Sequence, residues 1–201
     1  GIEYVANLQV TGGVLGAPLV ASGDFVGTPT VQWHRASSRR GEAASFVEIA
    51  GATELEYSPT ADDAGAVLRV AVTGPYGGPE VTVETAPIAL DPAAHAELQE
   101  KLRTGHGEFQ CLGPAQEPRI ILVTRKNVKV RSLLSRFVTT ASTIYKQSYN
   151  QPLTVVIDPD NPQALEMKMG PHSFPLLLET PRRRDLAAIC IRMFAGPNCP
   201  T

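Results

Sequence analysis

The segment Ala50–Thr73 constrains the fold of this chain more than any other part of the sequence. Two short runs, Glu54–Tyr57 and Ala66–Thr73, flank a turn that contains Asp63 and Gly65. Alternating apolar and polar residues indicate strands with one buried face, and the residues between the runs are typical of a tight corner. The segment therefore predicts a strand, a corner and a second strand.

A further alternating segment, Thr30–Arg35, lies upstream and places Val31 and Trp33 on one face. A tryptophan in such a strand is expected to fill the space between two sheets. Other strand signals recur at regular spacing, with Gly- and Pro-rich turns between them and no helical pattern. Residues 1–90 are therefore predicted to form an immunoglobulin-like β-sandwich, with a polar loop at Ser37–Ala44. The residues expected to have structural roles in it are Trp33, Tyr57, Asp63 and Gly65.

Charge is divided unevenly along the chain. The net charge of the whole is −2, but residues 1–90 carry 4 basic and 10 acidic side chains, which gives −6, whereas residues 91–201 carry 14 and 10, which gives +4. This asymmetry predicts two domains with different surfaces. It is too small to indicate a nucleic-acid-binding protein. The apolar runs are too short to predict a transmembrane segment.

The three cysteines are Cys111, Cys190 and Cys199, so the predicted sandwich contains none. An odd number without paired spacing indicates a reducing compartment. No cysteine or histidine spacing matches a zinc site, and we predict no metal and no cofactor.

The second half begins with a helix signal. Asp91 suits the N-cap and Pro92 the first helical position, so residues 91–106 are predicted to be a helical connector. Residues 107–201 contain a run of strand signals that ends in an amphipathic helix over Arg182–Ala195. This order of elements predicts a mainly β chain whose second domain is a pleckstrin-homology-like β-barrel with a C-terminal α-helix. The predicted buried face of the last helix consists of Leu186, Ile189, Cys190, Met193 and Phe194.

Motifs in both halves resemble one known family. They are Phe46-Val47-x-Ile49 with Gly51-Ala52, the run Tyr57–Gly65, the motif Gly105-His106-Gly107-x-Phe109, and the segment Arg119–Lys126. Together they resemble the immunoglobulin-like repeats and the C-terminal region of the auxin-induced-in-root-cultures family of microtubule-associated proteins.

The resemblance implies the C-terminal fragment of a larger cytoskeletal protein. Members of that family occur on cortical microtubules in plants and in the cytoskeleton of trypanosomatid parasites, which implies a cytoplasmic location at the cell cortex or flagellum. The implied partner is a cytoskeletal or adaptor protein, with tubulin bound indirectly. Direct binding in plant members is credited to a basic, Ser-rich region that has no counterpart in this sequence.

Basic residues form the sharpest candidate binding site. Arg125 and Lys126 lie at a predicted hairpin turn, and Lys129 and Arg131 share one face of the following strand. Converging cations of this kind can bind the phosphates of a phosphoinositide or an acidic protein surface such as a tubulin tail, and the alternative is a solvated face. A second basic set opens the last helix and is a candidate for a partner contact or a solvent-facing first turn. It consists of Arg182, Arg183 and Arg184.

No catalytic site is predicted. Asp62 and Asp63 are adjacent in a turn and point in different directions, and the four histidines are scattered. The sequence lacks a nucleophile elbow, a phosphate-binding glycine loop and a dinucleotide fingerprint. We therefore predict a non-enzymatic scaffold or protein-docking module. The alternatives are a phosphoinositide-binding membrane-surface adaptor and an unrecognised hydrolase.

Overall fold

The computed structural model describes residues 4–36, 45–135 and 138–199. The predicted loop at Ser37–Ala44 lies outside the described residues. The chain divides into two compact units, residues 1–91 and 92–201. Strands dominate both units and a helix follows the last strand, so the prediction of a mainly β protein with a C-terminal helix is confirmed.

The described part of the first unit contains seven strands in two antiparallel sheets. The strands are β1 (Ala6–Thr11), β2 (Leu19–Asp24), β3 (Thr30–Ala36), β4 (Phe46–Glu48), β5 (Glu56–Tyr57), β6 (Leu68–Gly74) and β7 (Gly77–Glu84), with a short 3-10 helix at Ala61–Asp63. One sheet has the order β1-β2-β5 and the other the order β4-β3-β6-β7.

These two sheets enclose one apolar core. Trp33 on β3 is fully buried, and its ring lies 5.8 Å from the ring of Tyr57 on the other sheet. Its Nε1–H donates to the carbonyl oxygen of Glu54 at 2.8 Å, so the indole is both packed and hydrogen-bonded. Leu19 of β2 and Leu68 of β6 are also inaccessible to solvent. The first unit is therefore a β-sandwich, with the tryptophan between the sheets as predicted.

The two ends of β7 connect differently. A tight hairpin turn joins β6 to β7, and Gly77 at the start of β7 has a φ of 89° that allows it. After β7, Ile88 and Ala89 make isolated bridges to Ala64 and Val14. The preceding Pro87 has no backbone N–H to donate, which limits pairing at this position.

The described part of the second unit contains two α-helices and seven strands. The helices are α1 (Pro92–Thr104) and α2 (Pro181–Ala195), the latter followed by a 3-10 turn at Gly196–Asn198. The strands are β8 (His106–Leu112), β9 (Pro118–Thr124), β10 (Asn127–Ser135), β11 (Val138–Ser148), β12 (Leu153–Ile157), β13 (Ala164–Met169) and β14 (His172–Leu178). They form one antiparallel sheet in the order β11-β10-β9-β8-β14-β13-β12.

This sheet consists of two meanders joined where β14 pairs with β8. The join is short and involves Leu177 and Leu178 of β14. The sheet is strongly curved, because the ring of Tyr145 on β11 lies 4.5 Å from the ring of His172 on β14, although these strands are not neighbours in the sheet. The described pairings do not join β11 to β12, so the closed barrel stays a prediction.

Both helices pack within the second unit. Three of the five predicted core residues of α2 are buried, but Met193 is 41% exposed and Phe194 is half-buried. Residues 184–191 are all buried, so burial surrounds the middle of the helix and does not follow one stripe to its end. The physical reason is that α2 lies against both the sheet and α1. The helix α1, which was predicted to be a connector, buries Ala94 and Leu98 and packs on β8 and α2.

Candidate functional site

The hairpin of β9 and β10 carries the four basic residues predicted as a site: Arg125, Lys126, Lys129 and Arg131. The first two occupy the turn, and the other two lie on β10. The hydroxyl oxygen of Thr124 closes this turn by accepting from the backbone N–H groups of Lys126 at 3.3 Å and Asn127 at 3.2 Å. The structure thus separates the predicted set into a turn pair and a strand pair.

Arg125 caps the C-terminal end of α1. Its guanidinium donates to the carbonyl oxygens of Arg103 at 2.7 Å and Leu102 at 3.4 Å, at the C-terminal end of α1. A cation there satisfies unpaired carbonyls and the negative end of the helix dipole. The side chain lies over Gly105, where an added Cβ would be 2.5 Å from the guanidinium carbon. Arg125 therefore contributes to the fold of the second unit.

Tyr149, which was not predicted as a site residue, also holds the hairpin turn. Its hydroxyl donates to the carbonyl oxygen of Thr124 at 2.6 Å and lies 3.0 Å from that of Asn127. Burial raises the pKa of Tyr149, so the hydroxyl remains a neutral donor. No local pattern could reveal this contact, because residues 124 and 149 are brought together only by the fold.

Lys129 and Arg131 lie on the outward face of β10, while Val128 and Val130 are fully buried on the other face. The strand register places Lys146 of β11 directly opposite Lys129. Lys146 could not be predicted as part of this set from the sequence, because its position beside Lys129 depends on strand pairing. We name these three outward residues, Lys129, Arg131 and Lys146, the basic face.

The charges of Lys129 and Lys146 are not balanced by their described neighbours on the sheet. Neither Lys129 nor Lys146 forms an ion pair with a described residue. The β9 neighbour of Lys129 is Leu122, and Glu108 on β8, two strands or roughly 10 Å away, lies 3.5 Å from His106. Like charges directly opposite each other destabilise a sheet. The basic face is therefore suited to a ligand that supplies negative charge.

Arg184, one of the three arginines that open α2, is buried. It is 2% exposed, and its Nε–H donates to the Asp185 carboxylate at 3.0 Å. Its Nη1 donates to the carbonyl oxygens of Asn161 and Ala164, each at 3.1 Å, in the connection between β12 and β13. The residue fastens this connection to the start of the helix, so it is not accessible to a partner.

The other two arginines of this set differ from Arg184 and from each other. Arg183 is half-buried, and its Nη1 donates to both carboxylate oxygens of Glu97 on α1 at 2.9 and 2.8 Å. Its guanidinium also lies 5.1 Å from the centre of the Phe109 ring. Arg182 is exposed. Among the three arginines predicted as a contact surface, Arg182 is therefore the exposed one. Arg183 binds α1, as Arg125 of the hairpin also does.

Asp63 is fully buried at the predicted corner of the first unit. One carboxylate oxygen accepts from the hydroxyl of Tyr57 at 2.6 Å and the backbone N–H of Thr60 at 2.9 Å, and the other accepts from Arg35 at 2.7 Å. Burial, with the nearby carboxylate, raises the pKa of Tyr57 and keeps its hydroxyl a donor. Gly65 follows with a φ of 76°. The carboxylate is saturated by structural bonds.

Groups that could support catalysis are dispersed. The cysteines are unbridged and buried, and burial raises the pKa of Cys111 and of Cys190 to about 12. These thiols are protonated at neutral pH and are poor nucleophiles. The histidines are His34 in the first unit and His95, His106 and His172 in the second. Within the described ranges, no three His, Cys, Asp or Glu side chains are grouped closely enough to hold a metal ion.

A groove of about 450 Å³ lies in the second unit where β8, β9 and β14 meet. Its described lining is mainly apolar, and its charged members are Arg119 and Glu179. Arg119 is already bonded to Glu117 at 3.3 Å and to the Ser132 hydroxyl at 3.2 Å. The groove therefore offers no obvious pair for acid–base chemistry.

Comparisons with known proteins identify a distant relative of this chain. No protein-family model matches it. It is similar to the 187-kDa microtubule-associated protein AIR9 of Arabidopsis thaliana, with 26% identity over 187 aligned residues that cover 84% of this chain. The chain spans 11% of the length of that relative. The similarity supports a distant link to microtubule-associated proteins, and the trypanosomatid origin stays a prediction. No helix in the described part of the chain is long and apolar enough to cross a bilayer.

Proposed function

We propose that this chain is a non-enzymatic docking module of a cytoskeleton-associated protein, in which the first unit acts as a spacer and the second contacts a protein partner. The observation that carries the proposal is the similarity, over 84% of this chain, to a protein named for its association with microtubules. The domain types belong to the same proposal: an immunoglobulin-like repeat over residues 1–90, a helical segment over 91–106 and a pleckstrin-homology-like domain over 107–201. The proposed location is the cytoplasmic cytoskeleton.

The distribution of charged groups supports a docking role. Buried charges such as Asp63 and Arg184 are held by bonds within their own unit. Active sites instead combine a perturbed titratable group with an accessible cleft and a converging partner. The groups with raised pKa values, such as Tyr57 and Cys190, owe the shift mainly to burial. Within the basic face, Lys129 and Lys146 carry charge that no described residue pairs, and this charge can attract a partner and guide its approach.

Cell fractionation tests this proposal. The tagged chain would be expressed in cells, the cells extracted with detergent, and the chain measured in the cytoskeletal pellet before and after cold- and calcium-induced depolymerisation of microtubules. We expect the chain in the pellet and its release on depolymerisation. Recovery in the detergent-soluble fraction alone, or a pellet fraction that depolymerisation leaves unchanged, would contradict the proposal.

Phosphoinositide binding is the second candidate, because the basic face could also bind phosphates. The use of Arg125 as a helix cap removes one of the cations that this candidate needs. Flotation with phosphoinositide vesicles distinguishes the candidates. Flotation that is lost on Lys129→Glu together with Arg131→Glu would favour the membrane-surface adaptor.

A further inference from the structure

The two edge strands of the second unit's sheet differ in how they are covered. At β12 the chain covers its own edge: Arg192 on α2 donates to the carbonyl oxygen of Val155 at 2.7 Å, and the Val155 backbone also bonds Cys199. At β11 the pairing within the described residues is with β10 alone. An unpaired edge presents N–H and C=O groups to which another extended chain can bond.

The described side chains of β11 do not block this edge. The segment Ser142–Ser148 contains no proline, and its outward residues include the exposed Thr143 and Lys146. A bulge in the pairing with β10 leaves Ile144 43% exposed beside them. The opposite face carries the half-buried Tyr145, whose ring packs beside the rings of His172 and Phe174 on β14, at 4.5 and 6.0 Å. A strand added here would therefore meet a basic face on one side and this packed aromatic group on the other.

The charge of the basic face selects the occupant. Lys129 and Lys146 repel each other across β10 and β11, and acidic side chains on an added strand would relieve this repulsion. Pairing of β11 with the β11 of a second copy would instead bring two basic faces side by side. The charge therefore favours an acidic segment over self-association.

We propose that an extended acidic segment of a protein partner adds as a further strand alongside Ser142–Ser148. Its acidic side chains occupy alternate positions on the outward face, where they pair with Lys146 and reach Lys129. Its intervening side chains are apolar and lie on the side of Tyr145, since successive side chains of a strand point to opposite faces. This inference rests on the docking role proposed above for the second unit.

The test uses the full 201-residue chain and a fluorescein-labelled synthetic peptide in which Glu and Val alternate over about ten residues. We expect saturable binding by fluorescence anisotropy, weakened about tenfold by Lys146→Glu. The matched control is Lys168→Glu, which makes the same charge change at an exposed residue of β13 and is expected to leave binding unchanged. Circular dichroism would verify that both variants are folded.

Two further peptides separate strand pairing from charge attraction. One is N-methylated at every Val and the other at every Glu, so both keep their carboxylates but lose alternate N–H donors. Only alternate N–H groups of a strand face its neighbour, so one of the two peptides must lose binding. Equal binding of both would show attraction without pairing and overturn the proposal.

Other outcomes would also overturn it. The proposal fails if the unmodified peptide does not bind, or if Lys146→Glu and Lys168→Glu weaken peptide binding equally. It also fails if the chain forms a dimer through β11 that the peptide does not dissociate. It fails as well if the chain floats with vesicles in a way that Lys146→Glu abolishes while no peptide binds. Retention of the chain on extracted cytoskeletons without peptide binding would refute this inference alone. Peptide binding by a chain that remains entirely detergent-soluble would refute the proposed function alone.

Discussion

Arg184 and the two lysines of the basic face carry the same charge in opposite surroundings. Arg184 is 2% exposed and donates to one carboxylate and to several carbonyl oxygens of its own unit. Lys129 and Lys146 face outward, opposite each other, without an ion-pair partner among the described residues. The first arrangement stabilises the fold, whereas the second costs some stability and leaves charge available to a ligand.

The difference shows that a basic residue cannot be assigned a structural or a binding role before its burial and its partners are known. Removing a buried, paired charge leaves its partners unsatisfied, and the penalty is large. Changing an exposed charge alters the free energy of unfolding little and binding more. Two optical signals separate the units: the single tryptophan reports the first, and both described α-helices lie in the second.

The largest effect is expected for Arg184→Ala. The substitution leaves the buried Asp185 carboxylate without this cation, and we expect the free energy of unfolding of the second unit to fall by about 3 to 5 kcal/mol. Urea unfolding followed by helical circular dichroism would measure it. The control is Arg182→Ala at the exposed start of α2, expected within about 0.5 kcal/mol of wild type. Similar losses of stability for both variants would show that the buried Arg184 stabilises the second unit no more than the exposed Arg182 does.

Asp63→Ala should have the next largest effect. It removes the acceptor of the Tyr57 hydroxyl and of Arg35, whose side chain is 30% exposed and can partly return to water. We therefore expect a loss of about 3 kcal/mol, at the lower end for a buried pair. Tryptophan fluorescence during urea unfolding would detect it. Asp62→Ala should lower the free energy of unfolding by less than about 1 kcal/mol. A larger loss for Asp62→Ala than for Asp63→Ala would show that Asp63 does not hold the corner.

Gly105→Ala probes the helix cap formed by Arg125. The φ of 71° at Gly105 is unfavourable for alanine, and the new Cβ would meet the guanidinium, so we expect a loss of about 1 to 2 kcal/mol in the second unit. Adding Arg125→Ala removes the clash but not the backbone strain. The two losses should therefore be less than additive in urea unfolding. Strict additivity would mean that Arg125 does not lie over Gly105.

The smallest effect, and one of opposite sign, is expected for Lys146→Glu. It replaces a repulsive cross-strand pair with one of opposite charge, so the second unit should become more stable by about 0.5 kcal/mol. Lys168→Glu lacks such a partner across the strand and should not stabilise it. The comparison would be made by urea unfolding at low salt, where surface charges act most strongly. Destabilisation by Lys146→Glu would show that Lys129 and Lys146 do not repel each other.

Elements with local patterns could be predicted from the sequence. Trp33 and Asp63 lie in neighbouring parts of the sequence. The alternating residues around Trp33 and the corner residues around Asp63 were sufficient to predict a sandwich. The helix α2 was predicted over Arg182–Ala195, and the structure begins it one residue earlier, at Pro181. The exposure of Met193 was not predicted, because it depends on which sides of the helix have neighbours.

Residues whose roles depend on distant contacts could not be assigned from the sequence. Arg125 and Arg184 were grouped with other cations as binding candidates, but each is bonded to backbone carbonyls of another element. Lys146 joins the basic face only through the register of β10 and β11. The sequence shows charge and spacing, whereas burial, capping and strand register arise from the folded chain.

Retention on detergent-extracted cytoskeletons tests the central claim most directly, when wild type, Lys146→Glu and Lys168→Glu are compared at equal expression. We predict that wild type and Lys168→Glu are retained and are released when microtubules are depolymerised, whereas Lys146→Glu is found mainly in the soluble fraction. A wild-type chain that is fully soluble, or one retained regardless of microtubules, would contradict the account.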